Sequence, residues 1–422
     1  MLVKFSVKNF RSIKDSALDL TCCPEQVTAG DEIVSLTADC AKLVDVVPVM
    51  AIFGANASGK SNLMKALLNM QQFVLTDGIT MREPFKLDEV GQDCPTEYVI
   101  ELLLGGRHCE YSLVVDDVHV IREALYVIES NARQCVFDVD IDKGCDARGL
   151  VSVGDLGNFV GYEFRGSFLC RVCGQYRKFQ ECKDFEKLKI LMQEVLANYE
   201  LACDVFGFLQ NGLSIIDKVR GGYSDKGLWP SGGRLKVGDI LRDMGLDLVL
   251  ATYHEGRGVD AEDCVNYYHS GARGGYYKLS SFKQESLGTR NLLLFLQRVV
   301  SVLNAGGCLC VDEIDRTLHT DIIVFVLQLF RSPKFNKYGA QLICTSHNPC
   351  IMLWLNKFEM AVVSKFNQVS RFTKLSDEKF GVDVQTNILA EYLDGAFGGV
   401  PLLKTSMFYD DSVQGLTDGG VS

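Results

Sequence analysis

The eight residues from Gly54 to Ser61, GANASGKS, fill every required position of a phosphate-binding loop. Gly54 and Gly59 free the backbone to curl so that its N–H groups point inward, where a side chain would obstruct an approaching phosphate. Lys60 brings a charge for the β- and γ-phosphates of a nucleotide, and the Ser61 hydroxyl can ligate Mg2+. Ala55, Asn56, Ala57 and Ser58 complete the candidate cradle, with Asn62 behind it. The flanks agree with this reading. The apolar run Val46 to Phe53 reads as a buried strand ending on a glycine, and Leu63, Leu67, Met70 and Val74 then recur at amphipathic-helix spacing. Strand, glycine loop and helix in that order call for an α/β fold, and the helix N-terminus adds partial positive charge to the phosphate site.

The remaining pattern organises around that unit. Leu2 to Phe10 alternates as a half-buried strand, and Ala17 to Leu20 begins a second. TEYVIELLL and CEYSLVVD flank Gly105 and Gly106, and VIREALYVIE follows, which predicts a β-hairpin or meander up to Glu129. From 132 to 280 the motifs disappear, and glycine-rich turns surround one predicted helix, Phe185 to Tyr199. Helix 290–304, strand 308–312, helix 320–330 and strands 340–345 and 359–364 then alternate, the signature of a largely parallel sheet. We therefore expect a first core part at 1–131, an inserted helical or irregular region at 132–280, a second core part at 281–409 and a flexible tail at 410–422.

Composition excludes several classes. A chain of 422 residues that is 47% hydrophobic and 23% charged has the balance of a soluble globular protein. A net charge of −11 argues against a surface that coats nucleic acid non-specifically, although a local basic groove remains compatible with it. The N-terminus MLVKFSVKNF lacks the apolar run of a signal peptide, and the longest apolar stretch, Leu292 to Val311, is interrupted by Gln297, Arg298 and Asn304. A cytoplasmic protein with no membrane span is expected. Sixteen scattered cysteines without an export signal read as free, mostly buried thiols, and Cys170 and Cys173 form a single CxxC with no second ligand pair for zinc.

Further candidates lie towards the C-terminus. Cys308 to Val311 is an apolar strand that runs into Asp312 and Glu313. Beside a phosphate-binding loop, Asp312 becomes the carboxylate for Mg2+, and Glu313 is placed to polarise a water for in-line attack on a γ-phosphate. His347, in QLICTSHNP, is either a structural histidine or a γ-phosphate sensor at the carboxyl end of its strand. Asp315 is open between a helix N-cap or surface acid and a residue that reaches a second subunit. Ser286, Gly288 and Thr289 in ESLGTRNLL open a helix and suit an anion or an ordinary cap equally.

Taken together these motifs resemble an ABC-type (RecA-like) ATPase head, in particular the prokaryotic OLD-like AAA ATPases related to the SMC and DNA-repair ATPases. VKNFRSIKD at 7–15, GANASGKSNL, PFKLD at 84–88, ESLGTRNLL, CLCVDEIDRTLH, TSHNP and YLDGAFGGVP at 392–401 carry the resemblance. It implies that ATP and Mg2+ are the ligands, that Lys60, Glu313 and His347 act in hydrolysis, and that Arg11 and Ser12 lie beside the nucleotide. It further implies that Ser286 and Gly288 contact the γ-phosphate on an opposite protomer, that Asp315 lies in the dimer interface, and that Gln92 stands for the Q-loop glutamine. The signature departs from the Leu-Ser-Gly-Gly-Gln pattern of transporters.

By resemblance, the function is that of an ATPase which forms a homodimer or higher oligomer with nucleotide and serves as sensor of an anti-phage or toxin–antitoxin-like system. Its trigger would be nucleic acid or a phage-derived product, and its effector a separate nuclease or toxin. A C-terminal nuclease of the TOPRIM type lacks room in the roughly 75 residues after His347, and Asp138, Asp140 and Asp142 precede any such domain. An SMC-like DNA-repair clamp would need sustained heptads that 132–280 lacks. Arg171, Arg177, Lys178, Lys183 and Lys187, interleaved with Tyr176 and Phe179, read as a solvated helix flank or as a docking surface for a partner.

Overall fold

The computed structural model describes residues 1–22, 45–76, 82–86, 89–117, 119–129, 132–140, 144–146, 166–181, 193–216, 240, 244, 248–254, 264–270, 275–279, 286–316, 318–383 and 385–400. Two sheets carry the fold. In the first, β1 (Leu2–Phe10), β2 (Ile13–Asp19), β4 (Thr96–Leu104), β5 (Arg107–Val115), β6 (Val120–Glu129), β7 (Ala132–Asp140) and β8 (Gly144–Asp146) pair antiparallel in the order β2-β1-β4-β5-β6-β7-β8. In the second, β9 (Leu213–Ile216), β13 (Cys308–Val311), β14 (Gln341–Ser346), β3 (Val49–Phe53) and β15 (Met360–Phe366) run parallel, and β16 (Val369–Lys374) closes one edge antiparallel. A separate antiparallel trio comprises β10 (Leu248–His254), β11 (Cys264–Ser270) and β12 (Tyr276–Leu279). The α/β class, the largely parallel sheet and the antiparallel sheet are those expected from the sequence.

Strand β3 shows why the layers stack as they do. All five of its residues are buried, as in a strand covered on both faces. Met50 and Ile52 face a core shared with the antiparallel sheet and with the helix Lys60–Leu75, whereas Val49, Ala51 and Phe53 face a second core with the helices Leu287–Ala305 and Thr320–Arg331. The period of two thus sorts alternate side chains into two cores, and the Lys60–Leu75 helix lies between the sheets. Polar links reinforce the join. Gln341, fully buried, accepts from Leu2 N at 2.6 Å and donates to Leu2 O at 2.8 Å, and Phe372 N donates to Ser16 Oγ at 3.1 Å.

The region 132–280 contributes to both sheets, through β7 and β9. Its described residues include the helices Phe168–Gln180 and Gln193–Gly207. Of the helix expected at 185–199, residues 193–199 belong to the helix Gln193–Gly207, and 185–192 lie outside the described residues. The helix Phe168–Gln180 lies outside the one helix expected in this region, and Phe168, Leu169, Val172, Cys173 and Tyr176 bury one face of it. Tyr176 stacks on Tyr199 at 5.7 Å between centroids and is core, so it offers no exposed ring to a partner. Lys183 and Lys187 fall outside the described residues. Asp138 is bound by Arg122 Nε at 2.8 Å, a structural role, and Asp142 is outside the described residues. The tail at 410–422 is likewise outside them.

One buried carboxylate fastens the Phe168–Gln180 helix to the antiparallel sheet. Glu123, on β6, accepts from Tyr111 OH at 2.8 Å, Ser167 Oγ at 3.0 Å, Phe168 N at 2.7 Å and Leu169 N at 2.8 Å. Two of these donors are helix N-terminal amides that have no partner inside their own helix. Glu123→Gln replaces one acceptor oxygen with an amide that faces donors. It should lower unfolding stability by about 3 kcal/mol, measured by urea denaturation of the full chain. A change within error would show that the four contacts contribute nothing.

Candidate functional site

The loop after β3 folds as its sequence requires. Gly59 adopts φ 107°, and a Cβ there would fall 2.1 Å from Ser370 Oγ and 2.9 Å from Ser12 Oγ, so only glycine fits. The Lys60–Leu75 helix that follows has no side-chain cap, which leaves its first N–H groups for a ligand. Ser58 Oγ is a buried loop hydroxyl with no partner among the described residues. Uncapped amides, an unpaired hydroxyl and a buried ammonium form a donor set that suits a phosphate chain.

The loop is gripped from outside by a chain of hydrogen bonds. Asn62 Nδ2 donates to Ser12 Oγ at 2.8 Å, Ser12 Oγ and Ser370 Oγ lie 2.6 Å apart, and Ser370 Oγ donates to Ser58 O at 2.5 Å. Ser370 N also donates to Ser12 O at 2.8 Å, and Lys365 Nζ reaches Ala57 O at 3.3 Å. Arg11 sits in the β1–β2 turn, where its N donates to Glu83 O at 2.8 Å and its guanidinium pairs with the Glu83 carboxylate. Thus Arg11 is committed to Glu83, while Ser12 supports the loop directly.

Lys60, 4% exposed, donates to Gly54 O at 2.6 Å and Ala55 O at 3.0 Å, and its Nζ lies 3.3 Å from His347 Nδ1. A lysine ammonium only donates, so His347 Nδ1 is the acceptor in this contact. Desolvation by burial lowers the Lys60 pKa to about 8, opposed by the nearby charges of Asp312, Asp315 and Glu313. The negative charges of Asp312, Asp315 and Glu313 lie near enough to Lys60 to favour its charged form.

The acids are themselves held in place. Asp312, 3% exposed, follows β13, and its Oδ1 accepts from Thr345 Oγ1 at 2.6 Å. Glu313 adopts φ 52°, a left-handed conformation that costs a non-glycine residue about 1–3 kcal/mol. Its N donates to Thr345 Oγ1 at 2.7 Å, and its Oε2 pairs with Arg316 at 2.9 Å. Asp315 Oδ2 accepts from the chain's own His347 N at 2.9 Å, while its Oδ1 is buried and has no hydrogen-bond partner among the described residues. For Mg2+, Ser61 and Asp312 offer a hydroxyl and one carboxylate. That small set suits an ion that keeps waters and phosphate oxygens as its other ligands.

Other predicted residues lie apart. Ser286 caps the helix Leu287–Ala305, accepting from Thr289 N at 3.1 Å, and a Cβ on Gly288 would meet only Ser286 Oγ, at 3.8 Å. Both are exposed, and among the described residues no hydrogen bond ties them to the loop 54–61. Gln92 donates to Lys86 O at 3.2 Å and its carbonyl accepts from Arg82. Two supporting residues were not foreseen. Thr345 carries a weak signal, a polar residue directly after the apolar run Leu342–Cys344 and two positions before His347. Ser370 showed none, because its strand had not been recognised. Among the described residues no group of three or more His, Cys, Asp or Glu is placed to hold a metal, and no helix is long and apolar enough to cross a membrane.

The Lys60 environment sets a pH dependence. A charged lysine suits a phosphate, and in the free protein Lys60 loses its proton as pH rises through about 8. Binding of ATP above that pH should therefore take up as much as one proton per site, and affinity should fall. Calorimetric titration at pH 9 in buffers of different ionisation enthalpy measures this directly. Equal heats in all buffers would contradict it.

With this geometry in view, a family model described as "AAA domain, putative AbiEii toxin, Type IV TA system" matches residues 49–134 and 204–352, which carry the loop, the acids and the histidine. Among solved structures, the SMC head domain from Thermotoga maritima is 14% identical with a TM-score of 0.39, covering 88% of this chain and 98% of that one. An Smc head domain with an extended coiled coil bound to the C-terminal domain of ScpA, derived from Pyrococcus furiosus, is 13% identical with a TM-score of 0.38, covering 93% and 99%. No curated protein sequence matches the chain.

Proposed function

The chain belongs to this AAA-domain family, and from that premise we propose that it binds ATP with Mg2+ and hydrolyses it. The observation that carries the reading is the meeting of Lys60, His347 and the acids Asp312, Glu313 and Asp315 at the mouth of a glycine loop. Lys60 and the uncapped helix amides hold the phosphates. Bound Mg2+ supplies charge neutralisation on the phosphate oxygens, with Ser61 and Asp312 as its protein ligands. Glu313 accepts a proton from the attacking water as its oxygen bonds to the γ-phosphorus, and the bond from that phosphorus to the β–γ bridging oxygen breaks, releasing ADP and phosphate. His347, at Lys60, hydrogen-bonds the γ-phosphate.

Ser286 and Gly288 belong to the same site on a second chain. Their exposure at an uncrowded helix start supports that role, because such a surface is free to receive the phosphate end of a nucleotide bound elsewhere. Asp315 faces that interface while its carboxylate, accepting from His347 N, steadies His347. ATP then acts as the bridge of a homodimer or larger assembly. The family description includes a type IV toxin–antitoxin system, which supports a sensing or regulatory role in phage defence, with a separate nuclease or toxin as effector.

Lys60→Ala should abolish ATP binding. Glu313→Gln should bind ATP normally, slow turnover by about 100-fold or more, and accumulate a larger species with ATP in size-exclusion chromatography. Full turnover by purified Glu313→Gln would remove the hydrolysis assignment. The isolated chain should also leave DNA and RNA intact with Mg2+ or Mn2+. Cleavage abolished by mutating acids other than Asp312 and Glu313 would place the effector in this chain.

A further inference from the structure

Thr345 is fully buried inside β14, one position along the strand from Cys344, which pairs with Val311 across the sheet. Its hydroxyl meets two groups of the acidic turn at once. Oγ1 accepts from Glu313 N at 2.7 Å and donates to Asp312 Oδ1 at 2.6 Å. The polarity has one solution, since a backbone N–H only donates and an ionised carboxylate only accepts. The same hydroxyl therefore aims the Asp312 carboxylate and anchors the left-handed backbone of Glu313.

Without it, Asp312 Oδ1 and the Glu313 amide would both lose a partner, and the left-handed turn would lose its anchor. The neighbouring link from His347 N to Asp315 Oδ2 at 2.9 Å joins the same two segments but touches neither Asp312 nor the Glu313 backbone. We propose that Thr345 is a positioning residue for hydrolysis, holding the metal-binding and the water-polarising carboxylates in register through one hydroxyl. This rests on the ATPase reading above. Valine has nearly the shape of threonine without the hydroxyl, and serine keeps the hydroxyl without the methyl, so the pair separates chemistry from packing.

The full chain is compared as wild type, Thr345→Val and Thr345→Ser for steady-state hydrolysis and for equilibrium ATP affinity with and without Mg2+, with thermal melting as the check on folding. Thr345→Val should lower kcat by about 10- to 100-fold. Its ATP affinity without Mg2+ should stay within about threefold of wild type, but most of the affinity gained on adding Mg2+ should be lost. Thr345→Ser should restore both quantities to within about threefold. Thr345→Val with wild-type kcat and wild-type Mg2+ response would overturn the proposal, as would a Thr345→Ser as defective as Thr345→Val. If Thr345→Val does not fold, Thr345→Ala takes its place with the same two outcomes. A wild type that binds ATP without turnover would count against hydrolysis itself, and the Mg2+-dependent affinity would still decide the role of Thr345.

Discussion

The nucleotide loop depends on a directed chain of hydrogen bonds that runs from Asn62 through Ser12 and Ser370 to the carbonyl of Ser58. Ser58 O can only accept, so Ser370 donates to it; Ser370 must then accept from Ser12, and Ser12 in turn must accept from Asn62. Every proton in the chain, and the orientation of the Asn62 amide, follows from that one carbonyl. The consequence is mechanical. A glycine loop is costly to hold in one shape because its backbone has the most freedom to lose. Here the restraint comes from the β1–β2 turn and from β16, members of different sheets, so the junction of the sheets is also the mount of the loop.

The charges within that mount are balanced against each other. Burial disfavours the Lys60 ammonium, and the acids at 312, 313 and 315 oppose that penalty. A buried cation at the start of an uncapped helix gains much from an incoming polyanion. The acids serve a second purpose, since Asp312 and Glu313 are also the groups assigned to metal and water. Asp312 and Glu313 are both held from the neighbouring strand through Thr345, and the His347 backbone is held by Asp315. On the proposed reading, binding and hydrolysis share one frame, in which β3, β13 and β14 lie side by side.

Much of this was legible in the residues. Buried parallel strands read as apolar runs that stop at functional residues, and for that reason β3, β13 and β14 were recognisable with their loops. The antiparallel sheet showed through alternation and through the turn at Gly105 and Gly106. What escaped was short or irregular. The helix Phe168–Gln180 combines Gly174 and two cysteines with its apolar face, so a helical period was hidden among weak helix formers. Strand β16 is six residues with a mixed burial pattern, and with it went Ser370. Strand β9 is only four residues long, too short to establish a period. Long-range partners such as Ser12 with Ser370, or Gln341 with Leu2, have no local signature, because only the folded sheets bring them together.

The central claim is one ATP site built by two copies of the chain, with the loop and acids from one and the helix start at Ser286 and Gly288 from the other. Two variants test it together. Lys60→Ala destroys the loop side, and Gly288→Glu places a negative charge at the exposed helix start, where an acid suits the helix but repels a γ-phosphate. Each variant alone should be inactive. Mixed in equal amounts with ATP, they should regain about a quarter of wild-type hydrolysis, because mixed pairs rebuild one intact site of two and form half of the population. A mixture as inactive as its components, or a fully active Gly288→Glu protein, would contradict a site shared between chains.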